Sequence, residues 1–215
     1  MMGTPEARAS SGRPMTPDDV LLEQFVLAFG AFDDMVASKE LDPHAWALRR
    51  GSPGRFGAAW RPRRVQLAPT ALARVHARLP ARYPALFERF LSTYRWAEVE
   101  LHACRLLASP RGRGLSGFVA AVFQDKALVE TLLPAGYLQF GKGPGGTYDP
   151  VCFDTSRSTG ADGSPVIQLD HEEILCWGRL KVVKELAPSF RHLVGEVIES
   201  ARALGVAPRR APPRR

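Results

Sequence analysis

The chain has 215 residues and a formal net charge of +7 at pH 7. Its 45% hydrophobic and 24% charged residues are ordinary for a globular protein and exclude a chain that is disordered throughout. The three cysteines, Cys104, Cys152 and Cys176, form no C-x-x-C pair. This pattern favours buried thiols in a reducing compartment over a disulfide scaffold.

The positive charge is concentrated in two short segments. Residues 16–48 carry seven acidic side chains against Lys39 alone, whereas residues 49–64 carry six arginines. Residues 206–215 add four more arginines, and residues 65–205 hold 16 basic and 14 acidic side chains. Because the predicted folded body is nearly neutral, the composition does not indicate a nucleic-acid-binding domain.

Composition divides the chain into five segments. Residues 1–15 are rich in Ser, Gly, Pro and Ala, and we expect them to be disordered. Residues 16–48 are predicted to form an N-terminal helical extension, and residues 49–64 an Arg-rich linker interrupted by Gly and Pro. Residues 65–205 are predicted to form the main domain, and residues 206–215 a basic disordered tail.

The first helix has a clear start signal. Thr16 is a suitable N-cap, Pro17 suits the first helical position, and Asp18 and Asp19 fall in the first turn. Apolar residues then recur at helical spacing over residues 21–32. We expect this helix to pack on the body of the protein or on a partner.

The remainder predicts helices followed by a small sheet and a closing helix. Helical spacing begins at Pro69, is interrupted by a turn-rich break at residues 111–117 and resumes over residues 118–133. We expect residues 97–108 to be helical as well. A last helix is predicted from its N-cap Ser189 to Gly205. Between them lie short β-like runs whose close spacing suits antiparallel pairing: Tyr137–Phe140, Val151–Asp154 and Val166–Leu169. The predicted fold class is α+β, a small antiparallel β-sheet with flanking helices.

No motif makes a case for an enzyme. Residues 136–142 have the spacing of a phosphate-binding loop, but Gly143 stands where Ser or Thr would hold Mg²⁺. Residues 114–117 (G-L-S-G) lack the residue that separates the serine from the second glycine in the G-x-S-x-G motif of a nucleophile elbow, so Ser116 does not fit it. Residues 170–173 (D-H-E-E) offer a base flanked by carboxylates but no nucleophile. We therefore predict neither catalytic residues nor a cofactor.

A metal site is also not predicted. His102, Cys104, His171 and Cys176 are residue types that bind zinc. In a helix over residues 97–108, however, His102 and Cys104 would point to different faces and could not share one ion. Only a strand in this region would restore the possibility.

Four stretches occur in a specific order: residues 79–91, 137–141, 148–154 and 165–172. The first opens with Leu-Pro before an amphipathic run, and the second is a strand that enters a Gly-rich turn. The third, Y-D-P-V-C-F-D, combines a tyrosine, a small turn and a strand that ends in Asp, and the fourth is P-V-I-Q-L-D-H-E. With these features, residues 79–200 resemble the SUKH superfamily, which includes a yeast cell-wall-synthesis regulator and many bacterial toxin-immunity proteins.

The resemblance implies a non-catalytic module that binds a protein, in bacterial members commonly a toxin that is neutralised by occlusion. A basic target would favour the acidic clusters within residues 18–42 and 170–173, with exposed aromatic side chains as anchors. The candidate partner-binding residues are Trp96, Tyr137, Tyr148, Asp154, Asp170, His171, Glu172, Glu173 and Trp177. For Asp154, capping of its own turn is the simpler interpretation.

Two other functions remain open from the sequence. The first is a regulatory or scaffolding module that docks a different partner through residues 16–48. The second is nucleic-acid binding by the Arg-rich linker, where Phe56 and Trp60 are interleaved with arginines and could stack on bases. No secretory signal or membrane-spanning run is recognisable, so we expect a soluble, cytoplasmic protein.

Overall fold

A computed structural model of the chain describes residues 14–35, 62–109 and 114–205. The predicted disordered N-terminus up to residue 13, most of the Arg-rich linker and the basic tail lie outside these ranges. The predicted α+β class is confirmed, because the described residues form helices around an antiparallel sheet.

The described residues contain eight strands and seven α-helices. The strands are β1 (Arg63–Arg64), β2 (Tyr94–Arg95), β3 (Val99–Leu101), β4 (Cys104–Leu106), β5 (Tyr137–Lys142), β6 (Pro150–Asp154), β7 (Val166–Leu169) and β8 (Val182–Ala187). The helices are α1 (Pro17–Ala28), α2 (Pro69–His76), α3 (Ala85–Thr93), α4 (Ser116–Val122), α5 (Lys126–Leu132), α6 (His171–Trp177) and α7 (Phe190–Ala203). Short 3₁₀ helices cover Phe29–Met35, Leu133–Ala135 and Thr155–Arg157.

The main sheet is a six-stranded antiparallel meander. Each strand from β3 to β8 pairs with the next strand along the chain, so β3 and β8 are its two edges. A separate two-stranded pair joins β1 to β2. The three predicted strands are confirmed as β5, β6 and β7, and their antiparallel pairing is confirmed with them. The sheet is larger than predicted because β3, β4 and β8 extend it.

The expectation of a helix over residues 97–108 is wrong, because this segment is the β3–β4 hairpin. Val99 and Leu101 on β3, and Cys104 and Leu106 on β4, are buried and alternate with polar residues. This period of two is the signature of a strand with one buried face. The two-residue turn between the strands provides the reversal that the hairpin needs. The signal was therefore present in the sequence.

An aromatic cluster fills one face of the sheet beneath α1, α3, α4 and α7. Its centre is Phe87 of α3, which is fully buried. The centroid of the Phe87 ring lies 5.1 Å from those of Phe153 and Phe190 and 5.3 Å from that of Phe140. Phe140 of β5 and Phe153 of β6 are themselves stacked at 4.2 Å. The Phe87 side chain thus links its own helix, α3, to strands β5 and β6 and to the last helix, α7.

Helix α1 belongs to this same core. The ring of Phe25 is fully buried and lies 5.3 Å from that of Phe90 on α3 and 5.9 Å from that of Phe190 on α7. Leu22 and Phe29 are also buried in this cluster. Of the two arrangements expected from the sequence, the helix therefore packs on the body of the protein.

The start of α1 confirms the predicted capping residues. The Thr16 side chain accepts a hydrogen bond from the Asp19 backbone N–H (3.3 Å), and the Asp19 carboxylate accepts one from the Thr16 backbone N–H (3.0 Å). The same carboxylate pairs with Arg89 of α3 at 2.7 Å. The Thr16 N–H and the Arg89 guanidinium together lower the pKa of Asp19 to about 2.

Helices α5 and α6 cover the other face of the sheet. Ile174 of α6 and Leu128 of α5 pack there against Cys152 of β6 and Ile167 of β7. The sequence analysis missed both α6 and β8. Local signals for α6 were nevertheless present: Asp170 is its N-cap, two glutamates lie in its first turn, and Gly178 ends it in the left-handed conformation.

A β-bulge in β5 determines which of its side chains share a face. Gln139 lies opposite Cys152 and Gly141 opposite Val151, so Phe140 is an extra residue between them. Residues three apart normally point to opposite faces of a strand. The extra residue reverses that parity and places Lys142 on the same face as Gln139.

Gly141 is required where β5 approaches β4. A Cβ atom at this position would lie 2.8 Å from the backbone carbonyl oxygen of Arg105. We expect Gly141→Ala to lower the free energy of unfolding by about 2–3 kcal/mol, because backbone on both strands must shift. The matched control is Gly195→Ala in α7, where no atom lies within 4 Å of the added carbon. Urea unfolding should show that control unchanged or stabilised by up to about 1 kcal/mol.

The Asp19 ion pair predicts a pH-dependent contribution to stability. We expect Asp19→Asn to lower the free energy of unfolding by about 1–2 kcal/mol near pH 7. Because the folded-state pKa is below the ordinary value of 3.8, the wild-type advantage is complete above about pH 5 and fades as the pH falls toward 2. Urea titrations of both proteins across this range measure the difference, and a difference independent of pH would contradict the assignment.

Candidate functional site: an apolar patch and an adjoining groove

Helix α6 and the start of β8 carry a cluster of exposed apolar side chains, here named the α6–β8 patch. Its members are Leu175, Trp177, Leu180, Val182 and Val183, with exposed fractions of 47%, 68%, 39%, 49% and 51%. All five lie within nine consecutive residues, at one edge of the sheet. Exposed apolar residues are common singly, but a contiguous cluster marks a surface that binds another molecule.

Local geometry explains why the patch is exposed. Asp170 begins α6 by accepting hydrogen bonds from the backbone N–H groups of Glu172 and Glu173. Only Ile174 of this short helix is buried in the core, so the following residues face outward. Gly178 then ends the helix, and the first four residues of β8 are exposed because no strand covers the edge.

Charges of both signs surround the patch. The Lys181 ammonium donates to the Asp170 carboxylate at 3.0 Å, and this contact is the main reason why the pKa of Asp170 is lowered. The Arg179 guanidinium lies 5.9 Å from the centroid of the Trp177 ring. Lys184 and Glu172 are exposed nearby. The rim is therefore mixed in sign, and the predicted acidic cluster is partly neutralised within the protein.

A groove of about 650 Å³ lies on the other side of α6, bounded by α5 and β5. The residues that matter for its chemistry are Leu128, Gln139, Lys142, Tyr148, His171 and Leu175. Leu175 belongs to both the groove and the α6–β8 patch. The two surfaces therefore adjoin along one short helix.

Asp149 fixes the wall of the groove through a partly buried network. Its carboxylate accepts hydrogen bonds from the His171 backbone N–H (3.1 Å) and the Gln168 amide (2.8 Å), and it contacts His171 Nδ1 at 2.7 Å. Burial opposes ionisation of Asp149, but the bonds from His171 and Gln168 outweigh it and hold its pKa below the ordinary value. The network anchors the start of α6 and sets the orientation of the His171 ring.

The same residues form a metal-like cluster that hydrogen bonding already explains. Ligand atoms of Asp149, Asp170 and His171 lie within 4.8 Å of one another. Asp149 is satisfied by His171 and Gln168, and Asp170 by the start of α6 and by Lys181. Among the described residues, this is the one such group of three. A strand does occupy the region of Cys104, yet neither Cys104 nor Cys176 joins the cluster.

The thiols differ in their surroundings. Cys104 and Cys152 are fully buried, and burial raises the pKa of Cys104 to about 12. The expectation of buried thiols is therefore correct for these two residues. It is wrong for Cys176, which is exposed on α6 because only one side of this short helix faces the core.

The expectation that Trp96 is an exposed anchor is wrong. Its side chain is completely buried, its ring stacks on that of Phe90 at 4.2 Å, and its indole N–H donates to the Leu107 carbonyl at 2.9 Å. Asp154 is also buried, where it accepts hydrogen bonds from Ser156 and pairs with Arg157 at 2.7 Å. Both side chains act within the fold, and Asp154 caps its own turn as the simpler interpretation expected.

The other predicted residues divide between the two surfaces. Tyr148 is 66% exposed at the rim of the groove, with its ring centroid 6.1 Å from that of His171. Tyr137 is partly buried beside α5 and α6, and Trp177 is the most exposed member of the patch. Of the predicted acids, Glu172 is exposed and Glu173 is partly exposed.

The two acids in the first turn of α1 are also not free for a partner. Asp18 pairs with Arg191 of α7 at 2.8 Å, and Asp19 pairs with Arg89. The expectation that these acids are open to a partner is therefore wrong for Asp18 and Asp19, because each forms an ion pair with an arginine of another helix. The rest of residues 18–42 beyond residue 35 lies outside the described ranges.

Sequence reasoning missed the residues that define both surfaces. The apolar members Leu175, Leu180, Val182 and Val183 were not singled out, although the run I-L-C-W-G-R-L-K-V-V has more apolar residues than one short helix and one edge strand can bury. The sequence also did not predict that Lys142 and Gln139 lie on the same face of the sheet. Nothing in the local pattern shows that a bulge places them on one face.

No protein-family model, curated protein or solved structure matches the chain. Within the part of the chain that the structure describes, no helix is both long enough and apolar enough to cross a bilayer.

The Asp149 network predicts a large effect of one substitution. Asp149→Ala leaves the Gln168 amide and the His171 N–H groups without their acceptor, and we expect a loss of about 2–3 kcal/mol in the free energy of unfolding. The matched control Glu172→Ala alters an exposed acid of the same helix and should change stability by less than about 0.5 kcal/mol. Equal stability of the two variants in urea would show that Asp149 does not anchor α6.

Proposed function

We propose that this protein is a non-enzymatic binding module of the SUKH type, an immunity protein that neutralises a cognate bacterial toxin by occluding it. The observation that carries the proposal is the α6–β8 patch, which supplies the toxin-binding surface. The resemblance of residues 79–200 to the SUKH superfamily supplies the class of partner.

Trp177 is the natural anchor of such an interface. Its large ring is 68% exposed, and Leu180, Val182 and Val183, three to six residues further along the chain, add exposed apolar area. Protein interfaces concentrate their binding energy in a few tryptophan, tyrosine and arginine residues that neighbouring contacts shield from water. Arg179 beside the ring supplies a second residue of this type.

The charge pattern favours an interface held by apolar contact. The two acids in the first turn of α1 are paired with arginines, and Asp170 is paired with Lys181. A surface that imitates phosphate groups to attract a basic nuclease would need unpaired acids on one face. The protein therefore binds its partner chiefly through the patch, with the mixed rim setting orientation.

Packing of α1 argues against the alternative in which residues 16–48 dock a partner through an apolar stripe. Leu22, Phe25 and Phe29 of that stripe are buried in the core. A truncation that removes α1 would expose this core, so point substitutions in the patch are the cleaner test. The three cysteines are unpaired, which agrees with action in the reducing cytoplasm.

The first experiment is co-expression with the product of the neighbouring open reading frame of the source genome. We expect that product to be toxic alone, and to be harmless and to co-purify when this protein is present. A neighbour that is harmless alone and does not co-purify would overturn the immunity function. A stable complex with a harmless neighbour would instead favour the scaffolding alternative.

Point variants test the surface itself. We expect Trp177→Ala to weaken toxin binding by about 30-fold or more and to abolish growth rescue, because the anchor is lost. The matched control is Leu204→Ala, which shortens another exposed apolar side chain (62%) at the end of α7, outside the patch. Its affinity in calorimetry should stay within about twofold of wild type. Full rescue by Trp177→Ala would move the interface elsewhere.

A further inference from the structure

We infer that the groove between α5, β5 and α6 binds a small monocarboxylate that has an apolar body and a hydrogen-bond donor. This site is distinct from the α6–β8 patch and goes beyond the proposed function. Its volume of about 650 Å³ lies within the range of small-molecule sites, roughly 300–1,000 Å³.

The β5 bulge builds the polar end of the groove. It places Gln139 and Lys142, three residues apart, on the same face of the sheet, and both line the groove. Bulges commonly re-aim a side chain next to a binding or active site. Gly141 permits the close β4–β5 approach beside them.

Lys142 supplies an unpaired positive charge. No carboxylate of the described residues lies within 4.0 Å of its ammonium group, since it forms none of their ion pairs. Acids on neighbouring segments already have partners: Glu98 pairs with Arg105 at 3.4 Å, and Glu100 accepts the Gly145 backbone N–H at 2.7 Å. Asp149, next to the cross-strand partner of Lys142, is bonded to His171 and Gln168. The ammonium lies 5.8 Å from the centroid of the Tyr148 ring, at the rim of the groove.

Gln139 offers the groove an amide oxygen that accepts no hydrogen bond from the described residues. Its side chain is only 7% exposed, and its amide nitrogen donates to the Gly141 carbonyl at 3.1 Å. That bond fixes the orientation of the amide, and its oxygen accepts no hydrogen bond from the described residues. An amide oxygen that lines a groove and has no donor within the fold is open to an N–H or O–H group of a ligand.

His171 adds a second oriented polar group. Its Nδ1 faces Asp149 at 2.7 Å, so Nε2 is the ring nitrogen left for the groove. Leu128 and Leu175 provide apolar walls, and the Tyr148 ring lies 6.1 Å from that of His171. This combination of apolar walls with few oriented polar groups is typical of a ligand site.

A carboxylate complements the one lining cation that forms no ion pair with the described residues. Of the other charged groups that line the groove, Asp125 caps α5 by accepting the Leu128 backbone N–H at 3.1 Å, and Lys126 pairs with Glu130 at 3.5 Å. Lys142 is therefore the cation left to be neutralised. A carboxylate matches it, and the ligand's donor meets Gln139.

Three matched probes test this chemistry on the full chain. The compound 4-hydroxyphenylacetate carries the carboxylate, the apolar ring and a donor; 4-hydroxyphenylacetamide lacks the charge, and phenylacetate lacks the donor. We expect the first to shift amide NMR resonances of the groove residues in a saturable titration. The neutral amide should bind at least about tenfold more weakly, and phenylacetate severalfold more weakly.

Paired lysine variants locate the charge. Lys142→Met removes the ammonium at similar length and should weaken the first probe by about tenfold, whereas Lys184→Met, on the exposed start of β8, should leave binding unchanged. Equal binding of acid and amide, equal effects of the two variants, or no shifts at tens of millimolar probe would overturn the inference. Toxin neutralisation by Lys142→Met should persist, so failure here is separable from failure of the proposed function.

Discussion

The packing of aromatic rings around Phe87 holds the helices of one face against the central strands of the sheet. Phe87 lies on the third helix, yet its ring touches Phe140 and Phe153 on neighbouring strands and Phe190 on the last helix. Phe25 brings the first helix to Phe190 as well. Burial of such rings supplies the largest apolar contributions in a core. Because every helix on this face depends on the same rings, the N-terminal helix is part of the folded body.

The opposite face of the sheet is covered less completely, and both proposed surfaces arise there. Helix α6 buries Ile174 and leaves Leu175 and Trp177 exposed. On its groove side, Asp149 and His171 hold the helix against the strands. A short helix cannot cover the whole sheet face, so the space beside it stays open as a groove and the edge strand beyond it stays exposed. One packing constraint thus generates both proposed surfaces.

The two surfaces share one residue, because Leu175 lines the groove and is also an exposed member of the patch. A partner seated on the patch would contact the helix whose other side lines the groove. The patch is apolar with a mixed rim and suits a protein, whereas the groove offers one unpaired ammonium at Lys142 and one free amide oxygen at Gln139 and suits a small acid.

Local sequence patterns were enough to predict the features that depend on neighbouring residues: the capping of the first helix by Thr16, the three central strands, their antiparallel pairing and the α+β class. The sequence also carried overlooked local signals, namely the alternation over β3 and β4 and the cap of α6. Which aromatic rings are buried depends instead on the folded chain, since Trp96 and Trp177 look alike in sequence but differ in what packs over them. The folded chain also decides that Lys142 and Gln139 share a face, because a bulge depends on the register with the next strand. Burial and register are properties of distant contacts, which no local pattern contains.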